Sequence, residues 1–266
     1  MTTIGAPNVE LTGKTALVTG ASRGIGRAIA RRLAADGALV AVHYGTNADA
    51  AGETVAAIEK DGGRAFALRA EFGVAGDVET LATGLAAGLA EHAAETGLDI
   101  LVNNAATVSF ATLDQLTPEE FDRLVAVNTR VPLFLVKRLL PELRDGGRII
   151  SLSTLAARTA VPAVGYVMSK GALDIMGRSL AAALGDRGIT VNTVAPGVTD
   201  TDVFAGLRDD PAVQANLRAA TALRRIGRPE DIADVVAFLA SPRARWITGQ
   251  VIDATGGLAL HPRTLH

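Results

Sequence analysis

The chain contains no cysteine, so it can form no disulfide framework, no thiolate metal site and no cysteine nucleophile, and a reducing compartment suits it. Long apolar runs are also missing. VPLFLV, residues 131–136, is among the longest, far short of the ~18–20 residues a membrane-spanning helix requires. The opening MTTIGAPNVELTGK has no basic region followed by an apolar stretch, so no secretion signal is expected there. Neither sign of charge dominates: 26 Lys and Arg stand against 28 Asp and Glu, which gives no reason to expect nucleic acid or an anionic membrane as partner. Together these absences predict a soluble, cytoplasmic protein. Two side chains are scarce in an informative way. There are two tyrosines and four lysines in the whole chain, yet Tyr166 and Lys170 stand four residues apart in GYVMSKG.

What is present is an apolar chain of mixed periodicity. A hydrophobic content of 48% and a charged content of 20% over 266 residues describe a globular protein with a sizeable core. Candidate strands are 15–19, 39–44, 64–70, 99–103, 148–153, 190–195 and 249–254, each short, apolar and rich in β-branched residues. Helical periodicity marks 24–35, 48–61, 77–95, 118–143, 165–185 and 229–240; in the first of these, Ile25, Ile29 and Leu33 recur every four residues. Strands that are apolar on both faces and alternate with helices predict a parallel sheet covered on both sides. Right-handed crossovers make it a doubly wound α/β sheet, with any ligand at the carboxyl ends of the strands. No repeat, low-complexity tract or linker interrupts it, so one domain over 1–266 is expected. The polar, DDP-broken segment 201–228 sits between strand six and the last helix, where a lid over the site would lie.

TALVTGASRGIGRAIARRLAADGA reads as strand, glycine-rich turn and helix. Gly20, Gly24 and Gly26 remove side chains where backbone must approach a pyrophosphate, and Ser22, Arg23 and Ile25 present the amides that open the helix. At the end of strand two, an Asp or Glu would accept hydrogen bonds from the ribose hydroxyls of NAD and repel a 2′-phosphate. Here the strand closes VHYGTN, with no acid before Asp49. Tyr44, Thr46 and Asn47 line that end, and the Arg23 guanidinium can pair with a phosphate. NADP(H) is therefore expected over NAD(H), and no metal.

With these residues in place the chain resembles the short-chain dehydrogenase/reductase family over essentially its whole length. The matching words are TGASRGIG (19–26), NNAA (103–106), VN (127–128), Tyr166-x-x-x-Lys170, APG (195–197) and GQVIDATGG (249–257). The resemblance implies a seven-stranded, three-layer Rossmann fold. It also implies hydride transfer between a nicotinamide and a carbonyl or alcohol, with Tyr166 exchanging the proton. A free tyrosine has a pKa of ~10, so acid–base work near neutrality asks for a cation that lowers it. Residues i and i+4 share a helix face, which brings the Lys170 ammonium close. By resemblance, Lys170 also reaches the nicotinamide ribose, and a proton relay continues to water held by Asn128. Asn103 and Ala105 would close over the adenine-side ribose. Pro196, Gly197, Val198, Thr199 and Thr201 would shape the nicotinamide pocket.

Three positions depart from the family pattern. Relatives carry a catalytic serine ahead of the tyrosine; counting back thirteen residues from Tyr166 gives Ser153, whereas aligning the strand and Pro162 gives Thr154. The second alignment is preferred because loops absorb deletions more readily than strands, and side-chain alternation lets one of the two face the site. Ala106 replaces a common glycine. Glu71 stands where an aspartate usually meets the adenine, leaving Phe72 to carry more of the packing. Trp246 is expected to pack the approach to the last strand, His43 to be a strand-end residue, His92 a helix-surface one, and His261 and His266 to belong to the tail. Helix 118–143 is apolar on more than one face, including Leu133, Phe134 and Leu135, and asks for a symmetric partner, so a homo-oligomer (tetramer or dimer) is expected. The functional expectation is an NADP(H)-dependent reductase of a small specialised carbonyl, or alternatively iminium, substrate. A 3-oxoacyl-[acyl-carrier-protein]-type reductase and a cofactor-binding sensor without turnover are the competing readings.

Overall fold

The computed structural model describes residues 10–202, 210–258 and 260. Seven strands, β1 (Thr15–Val18), β2 (Leu39–Tyr44), β3 (Arg64–Arg69), β4 (Leu98–Asn103), β5 (Leu143–Leu152), β6 (Thr190–Pro196) and β7 (Val251–Ala254), form one sheet in the order β3-β2-β1-β4-β5-β6-β7. Every neighbouring pair is parallel. Helices α1 (Gly24–Ala35), α2 (Ala48–Lys60) and α3 (Asp77–His92) follow the first three strands. α4 (Pro118–Val125) and α5 (Val131–Leu139) follow β4, α6 (Val164–Leu184) follows β5, and α7 (Pro211–Ala220) and α8 (Pro229–Ala240) follow β6. Strand order reverses between β1 and β4, so the crevice at their carboxyl ends is the natural binding site.

Two apolar layers hold the sheet. On one face Ile29 and Leu33 of α1 pack with Val236 and Leu239 of α8 over Val18, Val40, Val102 and Val194. On the other, Leu81 and Leu85 of α3, Leu135 and Leu139 of α5 and Leu184 of α6 cover Leu17, Leu101, Ile149 and Val191. At the amino-terminal edge the buried Asp99 carboxylate accepts from the Thr15 amide at 3.0 Å, the Lys14 ammonium at 2.9 Å and the Arg144 guanidinium at 2.7 Å. That network lies opposite the crevice.

The element boundaries differ from the sequence reading in places with physical causes. The expected helix 118–143 is broken: α4 passes through a π-helical turn, Ala126–Arg130, before α5 begins. Pro132 has no N–H to return to the Asn128 carbonyl, and the Val131 amide reaches Ala126 instead. α5 then stops at Leu139 because the chain must enter β5 at Leu143, which pairs with Leu98 across a register irregularity. The expected helix 77–95 ends at His92, and the last strand is shortened to Val251–Ala254. Within 201–228, α7 is capped by Asp210, which accepts from the Ala212 and Val213 amides, whereas 203–209 lies outside the described residues. His261 and His266 also lie outside them. Trp246 does not pack under the last strand. It follows the 3-10 turn Pro242–Ala244 and is 96% exposed. His92 is half-buried and stacks on Phe66.

Candidate active site

The glycine turn is locked from three sides. The Thr19 hydroxyl accepts from the Asn104 amide at 2.9 Å and the Ala105 amide at 3.0 Å, tying β1 to the loop after β4. Gly20 lies at φ +65°, and a Cβ there would meet the Ala105 Cα at 2.9 Å. A Cβ on Gly26 would stand 2.2 Å from the Gly20 carbonyl oxygen. Neither position admits a side chain. α1 starts at Gly24 with no side-chain cap and no acid in its first turn, so its opening amides face the crevice with the positive end of the helix dipole.

His43 supplies the third side, a contact that the sequence reading missed. Its Nδ1 accepts the Gly20 amide at 3.0 Å and its Nε2 lies 2.8 Å from the Ala70 carbonyl. A carbonyl can only accept, so the proton sits on Nε2. The ring stacks on Phe72 at 4.4 Å between centroids. Burial pushes its pKa down to about 4, the Ala70 hydrogen bond pulling the other way, so the ring is neutral at physiological pH.

A cleft of about 1110 Å³ runs from this turn to Tyr166. Ser22, Arg23, Gly24 and Ile25 line it at the turn; Gly45, Thr46, Asn47, Glu71 and Phe72 line the outer end. Asn47 caps α2, its Oδ1 accepting from the Ala50 amide at 3.0 Å. Arg23 and Asp202 approach to 4.0 Å across the rim, both well exposed. Two expected cofactor residues are absent from the lining. Tyr44 turns away to pack against the core under α1 and α2. Asn103 is buried, 3.4 Å from the Ser151 hydroxyl through Nδ2, with no partner for Oδ1 among the described residues. Its neighbour Asn104 reaches the site instead, donating to the Thr19 and Gly20 carbonyls at 2.8 and 3.1 Å. Successive strand residues face opposite ways, and that alternation was the signal available in NNAA.

Tyr166 and Lys170 lie one turn apart on α6, as the spacing predicts, and both line the cleft. Thr154 hydrogen-bonds the Tyr166 hydroxyl and caps the short turn Leu155–Arg158, accepting from the Ala156 amide at 3.3 Å. Ser153 is buried and donates to the Lys170 carbonyl at 3.2 Å. Thr154 is thus the hydroxyl that meets the tyrosine.

The expected electrostatics are corrected in one respect. Burial pushes the Tyr166 phenol up to about 12, with the Thr154 hydrogen bond opposing, and Lys170 does not lower it. The Lys170 ammonium donates to the Leu152 carbonyl. Burial pushes the Lys170 pKa down to about 8, the Asp174 carboxylate pulling it up. Among the described residues, the side-chain hydrogen bond of Lys170 goes to the Leu152 carbonyl and not to the phenol.

Asn128 is fully buried in the π-turn. Its Oδ1 accepts from the Thr107 amide at 2.9 Å, and its Nδ2 donates to the Thr107 carbonyl at 2.8 Å and the Ser169 hydroxyl at 3.0 Å. Both amide hydrogens are taken, and Pro132 denies the Asn128 carbonyl its usual helical donor. Past β6, Gly197 packs on Thr255, and Val198, Thr199 and Thr201 line the cleft beside Gly24. Phe110 and Val161 close the substrate end with apolar surface. No cluster of three potential metal ligands occurs among the described residues.

Comparison with known proteins matches this architecture. A family model described as Enoyl-(Acyl carrier protein) reductase covers residues 20–259. The crystal structure of the angucycline C-6 ketoreductase LanV with bound NADP is 55% identical, covers 95% of this chain and 98% of its own, and superposes with a TM-score of 0.90. LugOII, a promiscuous reductase that catalyses keto-reduction at C1 during lugdunomycin biosynthesis, is 53% identical over 95% of this chain and all of its own, with a TM-score of 0.91. Versicolorin reductase 1 of Aspergillus parasiticus is 41% identical over 94% of this chain and 98% of its own. A doubly wound parallel sheet, a glycine turn at its switch point and a Tyr-x-x-x-Lys helix beside it, matched over nearly the full chain, mean that the protein belongs to the short-chain dehydrogenase/reductase family of oxidoreductases.

Proposed function

We propose that the protein is an NADP(H)-dependent ketoreductase that reduces a carbonyl on a polycyclic aromatic polyketide. The observation that carries the reading is the Tyr166 hydroxyl, hydrogen-bonded to Thr154 in the same cleft as the glycine turn. The residues fit a dinucleotide. The α1 amides stand open to the pyrophosphate, the crevice is lined from Thr46 and Asn47 through the glycine turn to Tyr166, and no carboxylate occupies 45–47 at the ribose end. Arg23 would hold the 2′-phosphate. The relatives' polycyclic aromatic substrates, named for LanV and versicolorin reductase 1, suit a mouth framed by Phe110 and Val161.

When bound, the nicotinamide supplies a hydride to the carbonyl carbon. Tyr166, protonated at neutral pH, donates its phenolic proton to the carbonyl oxygen as charge develops there, so that an alcohol forms. The Thr154 hydroxyl orients the same oxygen; its β-branched side chain leaves few rotamers. The Tyr166 phenolate would be reprotonated from a water held at the Asn128 carbonyl of the π-turn, the proton passing through Lys170 to the phenol oxygen. Because the Asn128 side chain is fully engaged as donor, that backbone oxygen is the group that would hold a water. Segment 201–228 would act as the lid; of its described part, α7 buries no residue, and bridges Thr199–Gly227 and Thr221–Leu258 tie it to the cleft rim. One domain and a homo-oligomer complete the proposal; Leu133 and Phe134 on α5 remain exposed for a second copy. No helix among the described residues is long and apolar enough to cross a membrane.

Tyr166→Phe tests the assignment. Consumption of NADPH with a polycyclic aromatic ketone should fall by about 10²–10⁴-fold, the usual worth of a general acid, while NADPH binding measured by fluorescence stays intact. Turnover near that of the unmutated protein would overturn it.

A further inference from the structure

The glycine turn presents a smaller set of free amides than its sequence suggests. Two consecutive amides are taken by one residue: Gly20 donates to the His43 Nδ1 at 3.0 Å, and Ala21 donates to the His43 carbonyl at 2.8 Å. The same ring reaches from β2 to the Ala70 carbonyl at the end of β3 at 2.8 Å and lies against Phe72 at 4.4 Å. Phe72 and Ala70 form the outer wall of the cleft; Gly20 forms its floor. His43 is 2% exposed, so its ring is shielded from water, and a Gly20 amide that lost this acceptor at the cleft floor would have to turn or find another partner.

We propose that His43 is a positioning residue for the dinucleotide, a clamp that holds the first amide of the phosphate turn in register with the wall that meets the adenine. The inference rests on the NADP(H) reading. Its chemistry is specific. The ring must accept on Nδ1 and donate from Nε2 at once, which a neutral imidazole does and a protonated one cannot. The buried, unshared position that lowers its pKa keeps it in that form. With Gly20 pinned, the amides left for the pyrophosphate are those from Ser22 onward, at the mouth of α1.

Three variants separate clamping from mere packing. Asparagine places its Oδ1 near the Nδ1 position and keeps the Gly20 bond. Glutamine carries a donor toward Ala70 and loses the Gly20 acceptor. Leucine loses both. NADPH dissociation constants from fluorescence titration, the KM for NADPH and for a ketone, and melting temperatures are measured together. His43→Gln and His43→Leu should weaken NADPH binding about tenfold, as loss of one buried acceptor implies, with the ketone KM unmoved. His43→Asn should stay within about threefold of the unmutated protein. If the leucine variant does not fold, the asparagine–glutamine contrast carries the result. Equal affinity in all variants, equal losses for asparagine and glutamine, or losses that follow melting temperature alone would overturn the clamp. An unmutated protein that binds NADPH but reduces no ketone would overturn the ketoreductase reading and leave His43 to be judged by its own variants.

Discussion

Replacing Lys170 with methionine is expected to raise the stability of the protein at neutral pH while removing its activity. Lys170 is 3% exposed, and burial takes its ammonium out of water, lowering its pKa from 10.5 to about 8 against the pull of Asp174. At about 1.4 kcal/mol for each pH unit, holding the charged form costs the fold about 3 kcal/mol at pH 7. The sign follows from proton counts. Between about pH 8 and 10.5 the unfolded chain keeps a proton that the folded one has released, so stability rises with pH through that window. Below it both states are protonated and the full cost remains. Methionine fills most of the stem's volume without charge, though it leaves the Leu152 carbonyl without its donor, a loss of about 1 kcal/mol. The net gain is about 2 kcal/mol at pH 7, or roughly 4–8 °C in melting temperature for a chain of this size. Melting curves without cofactor at pH 7 and at about pH 10 check it, since the gain should vanish at the higher pH. A variant that melts below the unmutated protein at pH 7, or a difference equal at both pH values, would refute the reasoning.

Two further outcomes are expected. Arg23→Ala should weaken NADPH binding about fivefold to tenfold and leave NADH binding unchanged, because an exposed guanidinium–phosphate contact is worth about 1 kcal/mol; paired titrations with the two coenzymes check it. Asp99→Ala strips a buried carboxylate from Lys14, Thr15 and Arg144 and should cost about 3 kcal/mol in urea unfolding with kcat unchanged. Burial works to raise the Asp99 pKa, but the Thr15 amide and the two cations outweigh it and hold it below the ordinary range. Its contribution is therefore present above the unfolded carboxylate pKa and is lost as pH falls through the folded one.

The sheet was legible because seven apolar β-branched runs alternate with helical periods, and the observed order confirms the doubly wound reading. What was hidden was hidden by particular residues. β5 begins five residues early, at Leu143, because Arg144, Asp145, Gly146 and Gly147 disguise a strand start that pairing with Leu98 enforces. The break in 118–143 was signalled by Pro132, whose missing donor outweighs the apolar pattern around it. On the site, Tyr166 and Lys170 could be read from spacing alone. Asn103 and Asn104 could be told apart only by which side of β4 each faces. His43 carried no signal in its neighbours, since its partners Gly20, Ala70 and Phe72 are 23, 27 and 29 positions away.

The hydroxyl ahead of the tyrosine shows why geometry decides where counting could not. β5 ends at Leu152 and the chain stays extended, with the Ser153 amide still bonded to the Val194 carbonyl at 2.8 Å. Alternation then sends the Ser153 side chain into α6, where it donates to the Lys170 carbonyl, and leaves Thr154 beside the phenol. A serine in the first position therefore braces the helix that carries Tyr166 and Lys170, while the threonine in the second is the one proposed to address the reacting oxygen. The two hydroxyls do separate jobs in the proposed mechanism. Thr154 also accepts the Ala156 amide at 3.3 Å, and its hydrogen bond with the phenol opposes the effect of burial on Tyr166.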